Sequence, residues 1–113
     1  MEPEGIIKFD DWKKLDLRVG EILEVDDHPN AEKLLLIKVD IGDKEINLVA
    51  GIRKYYEKDE LVGKKIIVFT NLEPADLRGV KSDGMLLAAV DEKEDQVVLL
   101  TVDKEIKNGA IIR

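Results

Sequence analysis

Apolar and polar residues alternate along most of the chain, and this alternation predicts β-strands that bury one face. Residues 34–41 show the pattern clearly, because every second residue from Leu35 to Ile41 is apolar. Similar alternation, or a short apolar run bounded by turn residues, recurs several times. We expect strands at residues 16–25, 34–41, 45–50, 65–70, 85–90 and 96–102, and a last extended run at 107–113.

The first and fourth strands depart from simple alternation. One face of the first strand carries Leu17, Val19, Leu23 and Val25. Glu21 interrupts this face beside Gly20, so we expect a bulge or a barrel bend at that point. The fourth strand, residues 65–70, has a continuous apolar run, which implies burial on both of its faces.

Two segments follow a helical pattern instead. Apolar residues recur every three positions over residues 9–15, which predicts a short helix. The charged middle of residues 51–65 predicts a short helix or helical turn between the third and fourth strands. Many short strands with glycine turns indicate a closed or nearly closed barrel, and a helical segment at this place is the arrangement of an OB-fold.

The expected fold is therefore all-β. It is an OB-fold five-stranded barrel with a short N-terminal helix, a helical segment between strands 3 and 4, and extra C-terminal strands. A length of 113 residues corresponds to one domain. We expect that domain to span residues 6–113, after a flexible leader at residues 1–5.

Composition bears on the kinds of covalent and metal site that the protein can form and on its place in the cell. The chain has no cysteine, which excludes disulfides and thiolate metal sites. Its opening residues are acidic, and the apolar pair at residues 6–7 is too short for a secretory signal. No apolar run approaches the roughly 18 residues that a membrane span needs. We therefore expect a cytoplasmic protein without membrane contact.

The charge distribution bears on the class of partner. A net charge of −7 by itself argues against a nucleic acid. However, residues 1–27 carry a net −5 and residues 87–113 a net −2, while residues 28–86 are neutral. The neutral middle leaves room for a local basic face, so charge neither demands nor forbids an RNA partner.

Residues suited to catalysis are few. His28 is the only histidine, and it lies in a turn-rich segment before Pro29, where a turn or capping role is favoured over a metal site. Gly79 and Gly84 lack the spacing of a phosphate-binding loop, and Ser82 lacks the surroundings of a nucleophile. We therefore expect no enzyme activity from this chain by itself, no cofactor and no metal.

The segment at residues 71–84, just before the fifth strand, carries the most suggestive polar chemistry. In an OB-fold, a loop at this place borders the face that binds oligonucleotides. Basic side chains there can neutralise phosphates, an amide or hydroxyl can bond RNA, and glycine permits close approach. The candidate contact residues are Asn71, Arg78, Lys81, Ser82, Gly84 and Met85. In the alternative interpretation, Pro74 and the glycines only shape a long turn and Met85 packs in the core.

Three ordered blocks carry a resemblance to a known family: DLRVG, HPNAEKL, and NLEPADLRGVKSDGMLLAA with its NL-P and S-GM spacing. They closely resemble the tRNA-binding domain found at the C-terminus of methionyl-tRNA synthetases. Free-standing tRNA-binding proteins and endothelial monocyte-activating polypeptide-type domains are similar. The resemblance runs from about Ile7 to the closing residues 109–113.

The resemblance implies an OB-fold that binds tRNA by shape and has no catalytic activity of its own. It also implies a homodimer, with contacts from the segments that flank the barrel, and a synthetase catalytic body as a further partner. The RNA-facing residues that it implies are Lys33, Asn71, Arg78, Ser82, Gly84 and Met85, beside Lys81 from the loop itself. Lys33 as a plain turn lysine and Asn71 as a cap of the loop backbone are the alternatives.

One departure from the family pattern concerns residues 46–52. Many relatives carry a basic residue shortly before a Ser-Gly-Ile triplet, whereas this chain has Ile46 near the basic position and Ala50 in place of the serine. Together with the negative net charge, this favours weak, salt-sensitive binding. The remaining alternatives are a free-standing tRNA-binding protein, a chaperone-like protein-binding module, and a module that mainly dimerises a synthetase.

Overall fold

Short antiparallel strands account for most of the regular structure in the computed structural model, which describes residues 4–113. Residues 1–3 of the expected leader lie outside the described residues. The helices and strands are α1 (Phe9–Trp12), β1 (Leu17–Asp27), β2 (Leu35–Asp40), β3 (Glu45–Ala50), α2 (Lys58–Leu61), β4 (Lys65–Phe69), β5 (Ala75–Leu77), β6 (Val80–Ser82), β7 (Met85–Leu86), β8 (Ala88–Asp91) and β9 (Gln96–Leu99).

The main sheet has five antiparallel strands in the order β3-β2-β1-β4-β7. The end of β6 and the residue after it approach β3, at the free edge of the sheet. The Asp83 N–H donates to the Asn47 carbonyl at 2.8 Å, and the Val49 N–H donates to the Ser82 hydroxyl at 3.0 Å. These bonds nearly close the sheet into a barrel, and the expected all-β OB-fold is confirmed.

The barrel core is built by β2, β3 and β4, as their sequence patterns predict. Alternate residues from Leu35 to Ile41 and from Ile46 to Ala50 are buried, and both faces of β4 are buried through Ile66, Ile67 and Val68. The expected helical insert is also present. Helix α2 begins with a capping box between Glu57 and Glu60 and buries Leu61 fully in the core.

The inward face that we expected for β1 is confirmed in part: Leu17 and Val19 are buried and Val25 packs against the core, but Leu23 does not enter it. Pairing of β1 with β2 shifts between Ile22 and Glu24, so the bulge falls at Leu23. Ile22, directly before the bulge, belongs to the central core cluster, whereas Leu23 does not. Leu17 and Val19 are buried as well, but outside that cluster. The physical reason is register: the extra residue at Leu23 lets Ile22 before it and Val25 after it face the same core.

The single fifth strand that we expected at residues 85–90 is divided at Leu87. The first part, β7, pairs with β4, whereas the second part, β8, pairs with β9. Leu87 joins the two sheets, because its N–H donates to the Ile67 carbonyl at 3.0 Å and its own carbonyl accepts from Leu100 N–H at 3.1 Å. The strand changes partner here, so β8 and β9 form a separate hairpin.

The segment at residues 71–84 contains a small hairpin, β5–β6, that sequence analysis did not predict. Arg78 and Gly79 form its two-residue turn, and both have positive φ, 57° and 95°. A turn with two positive φ angles matches the twist of the flanking strands. Arginine is uncommon in this conformation, which explains why no sequence pattern predicted a turn at Arg78.

Candidate nucleic-acid interface

The connection between β1 and β2 meets the β5–β6 hairpin at one end of the barrel. We call these two segments, residues 28–34 and 75–82, the rim. The His28 ring nitrogen Nε2 lies 2.9 Å from the Leu77 carbonyl oxygen, and Arg78 Nη2 donates to the Asn30 carbonyl at 3.1 Å. Two segments almost 50 residues apart in sequence are thus held side by side.

The rim carries three cationic side chains that sequence analysis had selected, namely Lys33, Arg78 and Lys81. All three residues are exposed, and Lys81 is held only loosely by Asp83 at 3.5 Å. Lys33 borders a depression of about 300 Å³ together with Glu32, Arg53 and Lys54. The structure therefore brings these three cations to one end of the barrel, where exposed charge suits contact with phosphates.

Asn71 is exposed, but both ends of its amide are bonded within the chain. Its Oδ1 accepts from the Asp16 N–H at 2.8 Å, and its Nδ2 donates to the Lys14 carbonyl at 2.7 Å. Neither of the two roles considered from sequence, contact with RNA or capping of its own loop, describes these bonds. Asn71 ties the segment after β4 to the segment that joins α1 and β1.

Ser82 is buried, with only 4% of its surface exposed. Its hydroxyl accepts from Val49 N–H at 3.0 Å and donates to the Gly84 carbonyl at 2.9 Å. The side chain thus supplies one of the bonds that close the barrel. Contact between Ser82 and RNA stays a prediction, and burial leaves little of its surface for a partner.

Gly84 and Met85 differ in their accessibility. A Cβ atom at Gly84 would lie 2.6 Å from the Phe69 carbonyl oxygen, so the absence of a side chain is required by the neighbouring strand of this chain. Met85 pairs with Phe69 in the sheet and is 45% exposed, so it does not pack in the core. Its side chain therefore offers a flexible, partly exposed apolar surface.

Two ion pairs of Asp27 lie next to the rim, on the side of the helical insert. Asp27, at the end of β1, bonds Lys58 at 2.9 Å and Arg53 at 3.2 Å. The Lys58 ammonium, and then the Arg53 guanidinium, hold the pKa of the Asp27 carboxyl below its usual range. Arg53 also donates to the Glu32 carbonyl at 3.0 Å, so it is committed to internal contacts.

A second ion pair lies next to the anchor of Asn71. Arg18 Nε donates to the Asp16 carboxylate at 2.9 Å, and this bond lowers the pKa of Asp16 and raises that of Arg18. Over residues 4–113, no cluster of three His, Asp or Glu side chains is placed to hold a metal ion. In that same range, no helix has the length and apolar character to cross a membrane.

Two residues that organise this region, His28 and Asp83, were missed as site residues by sequence analysis. His28 was interpreted as a turn or capping residue, and its Nδ1 does accept from the Asn30 N–H at 2.9 Å, but its other nitrogen reaches the hairpin. Asp83 bonds the edge of β3 through its backbone and its carboxylate. No local sequence signal identifies such contacts, because their partners are 36 to 49 residues away.

Comparison with known proteins places this geometry in a family. The family model described as "Putative tRNA binding domain" matches residues 17–111. A methionine–tRNA ligase from Pyrococcus abyssi is 56% identical over 110 residues, which cover 97% of this chain but only 15% of the ligase. The chain therefore corresponds to a small part of that longer protein.

Two solved structures are similar over almost the whole chain. A methionyl-tRNA synthetase-related protein from Pyrococcus horikoshii has a TM-score of 0.89 and 34% identity, and the match covers 100% of both chains. The CsaA chaperone protein from Picrophilus torridus has a TM-score of 0.86 and 37% identity, with 96% of this chain and 100% of that chain covered. Proteins named for different activities thus share this barrel.

Proposed function

The chain belongs to the tRNA-binding domain family, and from this premise we propose that it binds tRNA without catalysing a reaction. In the proposal it acts in the cytoplasm as the C-terminal domain or β-type subunit of a methionyl-tRNA synthetase. It raises the local concentration of tRNA near the catalytic body, which increases overall affinity without any new contact there.

The observation that carries the proposal is the bonded rim. Lys33, Arg78 and Lys81 come from two distant segments, and hydrogen bonds between those segments hold the cations at one end of the barrel. Phosphate contacts from such a surface read the position of an RNA backbone rather than its bases. Folded RNA is recognised largely by shape and backbone, so this surface suits tRNA as a class.

The charges also set the strength of binding. The net charge is −7, and Lys81 has an acidic neighbour in Asp83. Only a few cations face the partner, and each phosphate contact that forms releases counterions. We therefore expect modest affinity that falls steeply with salt, as befits a domain that assists a larger enzyme.

The test is a titration of labelled, folded tRNA at about 50 and 200 mM salt, with an unstructured RNA of equal length as the comparison. We expect saturable binding that prefers the folded tRNA. The Lys81→Ala variant should weaken binding on the order of tenfold at low salt and reduce the slope of log affinity against log salt by about 1.

Lys44→Ala is the matched control, since Lys44 is exposed in the turn at the opposite end of the β2–β3 hairpin from residues 28–34. Its effect on affinity should be small, and the salt slope should stay the same. Equal losses in both variants would indicate general charge attraction instead of a rim. Absence of binding at low salt, or no preference for folded tRNA, would reject the proposal.

Alternative functions within the proposal differ in what they require. A free-standing tRNA-binding protein would use the same rim, so only the context of the chain separates it from a synthetase domain. A chaperone-like protein-binding module is favoured by the similarity to the CsaA chaperone protein. That function predicts binding of unfolded polypeptide that is insensitive to salt, and the titration distinguishes it from RNA binding.

We also propose that the chain forms a homodimer through the apolar surface around α1. Phe9 is 70% exposed and Ile111 is 55% exposed, although both are large and apolar. With Trp12 and Leu15 they line a groove of about 610 Å³. Exposed apolar groups that gather in one groove indicate a surface normally covered by a partner. A dimerising module for a synthetase would use this surface alone.

Sedimentation of the wild-type chain and of Phe9→Glu tests the dimer. We expect a dimer for the wild type at micromolar concentration and a monomer for the variant, because a buried unpaired carboxylate opposes association. Glu92→Gln, in the exposed turn of the β8–β9 hairpin, serves as the control and should remain dimeric. A wild-type monomer at every concentration would rule out this part of the proposal.

A further inference from the structure

His28 is the only histidine of the chain and is buried, with 6% of its surface exposed. Among the described residues, only His28 and Ser82 are both polar and buried. Ser82 is accounted for by closure of the barrel. A buried polar ring at the edge of the rim requires partners for both of its nitrogens, and the identity of those partners defines its role.

The hydrogen bonds fix the protonation of the ring. The Asn30 backbone N–H donates to Nδ1 at 2.9 Å, so Nδ1 carries a lone pair. Nε2 lies 2.9 Å from the Leu77 carbonyl oxygen, and since a carbonyl can only accept, Nε2 carries the proton and donates it. The ring is therefore neutral in the Nε2–H tautomer, and it bridges its own turn and the hairpin.

His28 contacts the hairpin directly beside its turn. Leu77 is the last residue of β5, directly before the left-handed Arg78. The Arg78 guanidinium returns to the His28 segment by donating to the Asn30 carbonyl at 3.1 Å. Two bonds in opposite directions therefore hold the turn of the hairpin against the residue 28–34 segment.

We propose that His28 is a positioning residue for RNA binding. Its neutral ring holds the β5–β6 hairpin against the residue 28–34 segment, so that Arg78 and Lys81 share one surface with Lys33. The effect of His28 on RNA binding rests on the proposed tRNA-binding function, but the contact between His28 and the hairpin can be tested without RNA. In this role His28 does not itself contact the nucleic acid.

Two substitutions of His28 distinguish its bond within its own turn, to the Asn30 N–H, from its bond to the hairpin, at the Leu77 carbonyl. In His28→Asn, the side-chain oxygen can still accept from the Asn30 N–H, as in an Asx turn, but the side chain does not reach Leu77. In His28→Gln, the longer amide can still donate to the Leu77 carbonyl. Far-UV circular dichroism of both variants verifies that the barrel is folded.

Amide hydrogen exchange within residues 76–82 is the first measurement, with β2 amides as the internal reference. We expect His28→Asn to raise hairpin exchange on the order of tenfold and His28→Gln to restore most of the protection. For tRNA affinity we expect the same order, with a loss of about three- to tenfold for His28→Asn and a smaller loss for His28→Gln.

The nitrogen NMR spectrum of the single histidine gives an independent signature, and we expect a protonated Nε2 with an unprotonated Nδ1. Equal hairpin protection in both variants, or the opposite tautomer, would overturn the bridge. Altered hairpin protection without any change in tRNA affinity would overturn the positioning role. If the wild type does not bind folded tRNA, the proposed function fails and so does the positioning role, while hydrogen exchange still decides whether the bridge exists.

Discussion

Several polar and glycine residues near the rim serve the fold before they serve any partner. The Ser82 hydroxyl closes the barrel edge, and the absence of a side chain at Gly84 lets β7 approach β4. Both residues belong to the sequence signature that suggested RNA contact. At this scale, these signature residues fix the backbone of the surface, and in the proposed function the exposed cations contact the RNA.

Substitution at Gly84 tests this interpretation. Gly84→Ala places a Cβ 2.6 Å from the Phe69 carbonyl, and a backbone neighbour cannot move away cheaply. We expect a loss of about 1–3 kcal/mol in the free energy of unfolding, measured with urea. Gly51→Ala is the control, since its Cβ would meet only a Leu34 methyl at 3.7 Å. Equal stability of the two variants would show that the backbone at residue 84 adapts freely.

The Asp16–Arg18 pair predicts a pH dependence of stability. The hydrogen bond from Arg18 lowers the pKa of Asp16 in the folded protein. A lowered carboxyl pKa contributes stability above the unfolded value of about 3.9, and this contribution disappears as pH falls through the folded value. We expect Asp16→Asn to lower the free energy of unfolding at neutral pH by less than about 1 kcal/mol, since both side chains remain partly exposed.

Once the pH lies below the lowered folded pKa of Asp16, the Asp16→Asn variant and the wild type should converge in stability, because Asp16 is then protonated in both folded and unfolded wild-type chains. Urea unfolding at several pH values between about 2 and 7 gives the comparison. The other carboxyls with lowered pKa values, Asp27 and Asp95, are present in both proteins, so the difference isolates Asp16. A constant difference across this range would contradict the assignment.

At the scale of elements, the positive φ of the exposed Arg78 lowers the stability of the β5–β6 hairpin. A positive φ raises the conformational energy of an ordinary residue by about 1–2 kcal/mol, whereas asparagine is a preferred residue in this type of turn. We expect Arg78→Asn to leave the free energy of unfolding unchanged or raise it by up to about 1 kcal/mol, after the exposed bond to Asn30 is lost. The same variant should bind tRNA more weakly. Urea unfolding and the tRNA titration, done in parallel, check both effects.

A fall in stability with unchanged tRNA affinity would reverse this interpretation of Arg78. In that case the arginine would serve the hairpin alone, through its bond to the Asn30 carbonyl. Gly79 is a useful comparison within the same turn, since it also has positive φ and a Cβ there would meet nothing within 4 Å. Gly79→Ala should therefore lower stability through backbone strain alone, by about 1 kcal/mol.

Sequence patterns predicted elements whose burial follows from local alternation, and they failed where partners are distant. The inward faces of β2 and β3 follow from alternate apolar residues, so the sequence was sufficient there. A bulge in β1 was expected beside Gly20, but its position at Leu23 and the change of partner at Leu87 depend on how neighbouring strands pair, which no local pattern encodes. For the same reason, the sequence identified the cations of the rim but not the bonds of His28 and Asn71 that arrange them.

At the scale of the whole molecule, two surfaces with different chemistry are connected through Asn71. The groove around α1 gathers exposed apolar side chains beside charged ones, while the rim carries three exposed cations. Asn71 bonds Lys14 and Asp16, on either side of Leu15, which lines the groove. It also lies in the segment that leads into the β5–β6 hairpin. A substitution of Asn71 should therefore affect both the groove and the rim.

This coupling gives a prediction that a set of three variants can check. Asn71→Ala removes both bonds, and we expect it to lower stability by about 1–2 kcal/mol and to weaken dimerisation and tRNA binding together. Phe9→Glu should weaken dimerisation without altering the salt slope of tRNA binding, and Lys81→Ala should do the reverse. Sedimentation and tRNA titration on the same preparations give both readouts. If Asn71→Ala changed only one of the two activities, the groove and the rim would be independent, and the bonds of Asn71 would stabilise a single surface.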